Sequence, residues 1–124
     1  MSLTSQASPL HNAVLDDYGL QAQLSDINEA FGEFCTRVAG EVWGLPLIDQ
    51  RTKALMAIAI DVANQGLTVD SAFEAHVRMA LEQAISFEQI EEALLFCCVY
   101  AGFNKVAPAF VRLRQIRQRI EAEA

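Results

Sequence analysis

DQRTKALMAIAIDVAN, residues 49–64, is the stretch whose reading decides the fold. Asp49 is a good acceptor for the free backbone N–H groups that open a helix. The run from Leu55 to Ile60 is apolar all round, as expected of a helix packed on several sides. Gly66 is placed to end this helix, and a second is expected from about Val69 to Gln83. So short a turn between two helices makes them an antiparallel pair, here the centre of the domain.

Helical spacing continues on both sides of this pair. Upstream, from Asp26, Ile27, Ala30, Phe31, Phe34, Cys35, Val38, Ala39 and Val42 recur at i, i+3, i+4 and i+7. That spacing predicts one buried stripe over four turns, broken by Gly44-Leu45-Pro46. Downstream, Ser86 and Gln89 have the spacing of a capping box for a helix over 87–101, with Gly102 as a left-handed cap. Asn104 is positioned to cap the last helix, and Pro108 to distort its start. Residues 1–15 lack sustained periodicity and are expected to be loosely ordered, leaving 16–124 as a single domain. No segment alternates as a strand does. The fold class is all-α, with five or six helices.

Hydrophobic residues make up 52% of the 124 and charged residues only 20%, with a mean hydropathy of +0.20. A domain of this size cannot hide that much apolar surface alone, so a homo-oligomer is expected. The net charge of −7 argues against nucleic acid or an anionic membrane as partner. No apolar run reaches the length of a membrane span, and the polar segment 1–9 does not read as a signal peptide. A cytoplasmic protein is expected. Cys35, Cys97 and Cys98 show neither metal-ligand nor Cys-x-x-Cys spacing and read as free thiols.

Few groups have the makings of chemistry. His76 lies among Phe73, Val77 and Ala80 at helical spacing. It is either a core histidine satisfied by a carbonyl or a general acid/base titrating near neutral pH. Glu41 stands near a helix C-terminus beside Trp43, as a solvated carboxylate or one adapted for proton transfer. Arg51 and Lys53 fall in the first turn of the 49–64 helix, where they either pair with a carboxylate or clamp an anionic substrate. Tyr100 reads as a core residue whose hydroxyl reaches a pocket edge. Arg112, Arg114, Arg117 and Arg119 spread around the last helix as a solvated face or as subunit contacts. No phosphate loop, zinc-ligand set or nucleophile elbow occurs, so no cofactor or metal is expected.

Taken in order, Gly40-Glu41-Val42-Trp43, Leu47-Ile48-Asp49-Gln50-Arg51-Thr52-Lys53, Ala75-His76-Val77-Arg78-Met79-Ala80-Leu81, Phe87-Glu88-Gln89-Ile90-Glu91-Glu92 and Val99-Tyr100-Ala101-Gly102-Phe103 resemble the carboxymuconolactone decarboxylase family, within the AhpD-like superfamily. The resemblance covers roughly residues 25–113. It implies an all-helical subunit and a homotrimer or homohexamer. One branch of the superfamily carries Cys-x-x-Cys-x-x-x-His and an upstream glutamate. Counting back from His76, those positions hold Val69, Ala72 and Ala57, so the peroxidatic machinery is absent. The chain resembles the other branch, cofactor-free lyases acting on a small lactone acid. By that resemblance His76 and Glu41 are catalytic, and Trp43, Arg51 and Tyr100 bind substrate. Gly44-Leu45-Pro46 replaces the Arg-Pro pair that often follows the tryptophan, Ala84 a usual glycine and Asn104 a usual proline. A lost arginine at the pocket mouth points to a less anionic, more apolar acid or lactone. The alternatives are a non-enzymatic helical oligomer that binds a small ligand or acts as an accessory protein, and a thiol-dependent alkylhydroperoxidase.

Overall fold

The computed structural model describes residues 10–68 and 71–124, which form six helices and no strand. They are α1 (Tyr18–Ile27), α2 (Glu29–Trp43), α3 (Gln50–Asn64), α4 (Ala72–Glu82), α5 (Phe87–Ala101) and α6 (Phe103–Glu123). Residues 1–9, and Val69 where the second helix of the central pair was expected to begin, lie outside the described residues. Residues 10–17 form turns held by Asn12, whose Nδ2 donates to Gly40 O at 2.9 Å, and by Gln50 Oε1, which accepts from Ala13 N at 2.7 Å.

α3 packs on α4, α5 and α6, as a helix that is apolar on several faces must. Two side-chain links fix its antiparallel register with α4: Arg51 reaches Gln83 and Ala84, and Asp61 reaches His76. Ile58 and Val62 of α3 meet Phe73 and Val77 of α4, Ile90 and Leu94 of α5, and Val106 and Ile116 of α6 in one core. Each such side chain contributes about 1.5–3 kcal/mol by leaving water. Around that core α6 is fastened by arginines: Arg112 donates to Leu67 O, Arg119 to the buried Glu74, and Arg117 lies over the Phe87 ring. Apart from Arg114, these arginines act within the subunit.

Asp49 caps α3 by accepting from Thr52 N at 2.7 Å, and the Ser86–Gln89 capping box is complete. Other expectations are corrected. α1 was not anticipated; Asp17 caps it, and Asn28 then adopts an extended backbone and caps α2 through Phe31 N. The stripe expected from Asp26 is therefore interrupted, because an asparagine carboxamide competes with the helix for backbone N–H groups. Nor is that stripe buried: Phe31, Phe34, Val38 and Val42 are exposed, and only Gly32 and Gly40 of α2 are buried.

At the end of α3, Gln65 rather than Gly66 takes the left-handed conformation (φ 59°). Its side chain compensates by donating to Val62 O and Lys105 O. Gly102 has φ 97° and ψ 150°, a glycine-only region that is not the left-handed cap, and it both ends α5 and opens α6. Asn104 lies inside α6, as does Pro108.

Candidate active site

The C-terminus of α2 is held against α3 by two side chains of the latter's first turn. Lys53 Nζ donates to the carbonyls of Val42 (3.3 Å), Trp43 (2.7 Å) and Leu45 (2.7 Å), and Gln50 Nε2 to Trp43 O (2.6 Å). A cation suits this place because the last carbonyls of a helix carry partial negative charge. Lys53 is thus a helix clasp. The clasp fixes one wall of an apolar pocket of about 680 Å³, formed by Trp43, the 45–48 loop and the α3 face at Lys53, Met56, Ala57 and Ile60. Its size is that of a small-molecule site.

Asp61 continues this α3 face one turn beyond Ala57, with roughly 6 Å between their Cβ atoms. Its Oδ2 lies 2.5 Å from His76 Nδ1, and both side chains are mostly buried. A carboxylate can only accept, so Nδ1 carries the hydrogen and Nε2 is left for another partner. This is the arrangement in which a carboxylate fixes the tautomer and plane of an acid/base histidine. His76 itself is not among the residues lining the apolar pocket.

The other sequence-derived site residues are dispersed. Trp43 walls the pocket. Glu41 is exposed, and among the described residues its side chain has no hydrogen-bond or ion-pair partner. It stands at the Lys53 end of α3, about 12 Å along the helix from Asp61. Within the chain, then, the partner of His76 is Asp61 and not Glu41. Arg51 lies about 15 Å along α3 from Asp61, and its Nη1 serves the carbonyls of Gln83 (2.8 Å) and Ala84 (3.2 Å). Ala84 has φ 65°, so the guanidinium braces a turn where the usual glycine is missing. Tyr100 is 79% exposed and lies against Phe96, ring centroids 5.3 Å apart, rather than in the core.

Asp61 was missed by sequence reasoning. Two signals mark it: a carboxylate inside an otherwise apolar helix, and a position four residues beyond Ala57 on the same face. Cys97 is poorly suited to thiolate chemistry. Burial, and then the neighbouring Cys98, push the Cys97 thiol above its ordinary range, which opposes thiolate formation. Among the described residues no group of three or more His, Cys, Asp or Glu is gathered to hold a metal ion, and no helix is long and apolar enough to cross a membrane.

An all-helical domain with an Asp–His pair next to an apolar pocket is a framework for acid/base work on a small molecule. The model of the carboxymuconolactone decarboxylase family matches residues 29–114, and the chain belongs to that family. A relative, the 4-carboxymuconolactone decarboxylase of Acinetobacter baylyi, is 32% identical over 80 residues. The matched region is 64% of this chain and 58% of that relative, so the chain spans less than two thirds of the relative's length. No solved structure matches it.

Proposed function

We propose that this protein is a cofactor-free carboxy-lyase for a small unsaturated or lactone carboxylic acid, with His76 as its acid/base and Asp61 as the residue that positions it. The carrying observation is the 2.5 Å contact between His76 Nδ1 and Asp61 Oδ2, one helical turn from the pocket walled by Trp43. The family and the decarboxylase relative support the reaction class.

The chemistry follows from that placement. An apolar wall solvates a carboxylate poorly and neutral CO₂ without penalty, so it favours loss of CO₂. The C–CO₂ bond breaks, and its electron pair spreads into the unsaturated lactone as a dienolate. With a proton on both ring nitrogens, His76 then delivers the one on Nε2 to carbon, keeps the one on Nδ1 toward Asp61, and regains a proton on Nε2 from water. Because the substrate's own conjugation holds the electron pair, the step needs no external electron sink. The part of His76's partner that the resemblance suggested for Glu41 falls here to Asp61, as the residue that orients the ring. We also infer that the working form is a homotrimer or homohexamer. The exposed Phe31, Phe34, Val38 and Val42 of α2, and Phe96, Val99, Tyr100 and Phe103 at the α5–α6 junction, have no cover among the described residues.

CO₂ release from 4-carboxymuconolactone, the compound in the relative's name, tests this reading. Turnover by the purified protein is expected, with a loss of roughly 10²–10⁴-fold in His76→Asn. Undiminished turnover in that variant would remove His76 from the reaction.

A further inference from the structure

The apolar pocket beside Trp43 is roomy for a small lactone acid and poor in the charges that an acid needs. Its volume is about 680 Å³. A lactone acid of about ten non-hydrogen atoms, at roughly 30 Å³ apiece (the share of a molecule in liquid water), would fill less than half of it. The α3 side of the remaining space is made by Met56, Ala57 and Ile60, whose side chains offer a ligand no N–H or O–H.

Lys53 carries the only charge among the residues that line this pocket, and its donors are committed. An ammonium has three N–H groups, and Lys53 Nζ directs them at the carbonyls of Val42, Trp43 and Leu45. To meet an anion it would have to release a carbonyl at the negative end of α2. Arg51, the other cation of that turn, lies off the pocket on Gln83 O and Ala84 O. Two carboxylates, Glu41 and Asp49, adjoin the lining residues Val42 and Ile48 in the chain. The indole N–H of Trp43 is the one uncommitted side-chain donor of the lining, enough for one oxygen. A single carboxylate on this apolar wall is what the proposed loss of CO₂ uses. A second would give up its water with no cation in return.

We infer, resting on the reading of this pocket as the lyase's substrate site, that the substrate is a monocarboxylate with a sizeable apolar body. That body, an alkyl chain or a second ring, lies along Met56, Ala57 and Ile60. Lys53 sets this specificity by being unavailable, and a dianion is admitted only with a loss of affinity.

The test is equilibrium binding to the full chain, read from the emission of Trp43, its only tryptophan. The probes are p-butylbenzoate, benzoate, and p-(carboxyethyl)benzoate, a dianion of nearly the same length as the first. The butyl compound should bind about tenfold or more tighter than benzoate, and about tenfold or more tighter than the dianion. Ala57→Phe, which fills the pocket, should abolish the advantage of the butyl chain. Met56→Arg, which adds a free guanidinium, should bring the dianion within about threefold of the butyl compound. Equal binding of benzoate and the butyl compound by wild type would overturn the apolar body, and equal binding of the dianion would overturn the single charge. No binding of any probe would overturn the inference outright, and Trp43 emission that then changes on dilution, together with the mass in light scattering, would assign the pocket to a second copy. The probes report binding without turnover. The expected pattern without CO₂ release would count against the lyase reading alone, and CO₂ release without the pattern against this inference alone.

Discussion

Glu82, at the end of α4, carries a carboxyl raised above its ordinary range, first by loss of water and then by the nearby charge of Asp17. Its folded state therefore holds a proton more tightly than its unfolded state. It follows that stability falls as pH rises from the ordinary carboxylate range through the raised value. Glu82→Gln should raise the melting temperature at pH 7 by a degree or two, about a few tenths of a kcal/mol for so exposed a group. The gain should disappear near pH 4, whereas an equal gain at both values would assign it to packing. Residues were unevenly legible in the sequence. Asp49, Ser86 and Gln89 act on their own helices, so spacing alone identified them. Arg51, Lys53 and Asp61 act across helices, and each was open or unremarked until the antiparallel register showed what faces it.

The α1–α2 hairpin illustrates what periodicity can and cannot do for an element. Spacing located the end of α2 but not its start, and could not tell a face buried in its own subunit from one left exposed, since both require the same apolar side chains. The approach of α1 to α2 depends instead on Gly32, where an added Cβ would meet the Ser25 backbone at 2.6 Å. Gly32→Ala should therefore force the helices apart and cost about 1–3 kcal/mol, read from chemical denaturation. Gly66→Ala is the matched control, because a Cβ there meets nothing within 4 Å. No loss at Gly32, or the gain that alanine brings to an uncrowded helix interior, would show that close packing does not govern the site. Pro108 was expected to disturb the start of α6; the helix runs through it from Phe103 to Glu123.

For the molecule as a whole, the composition had already signalled more apolar surface than one subunit can bury, and the fold locates it. Phe31, Phe34 and Val38 line α2, Leu47 is 96% exposed, and Phe96, Val99 and Tyr100 crowd the end of α5. Light scattering should give a mass of three or six times 13.7 kDa, and Phe34→Asp should lower it. A monomeric wild type would refute self-association. The all-helical family fold was legible because its sequence blocks follow one another in order, while the proposed acid/base pair was only half legible, as His76 without its carboxylate. The decisive measurement is a comparison of decarboxylation by Asp61→Asn and Glu41→Gln. Asp61→Asn should reduce kcat by about 10²-fold or more with KM little changed, the mark of a residue that positions the proton donor. Glu41→Gln should stay within threefold of wild type. The reverse result, activity lost with Glu41 and kept without Asp61, would contradict the assignment of Asp61 as the partner of His76.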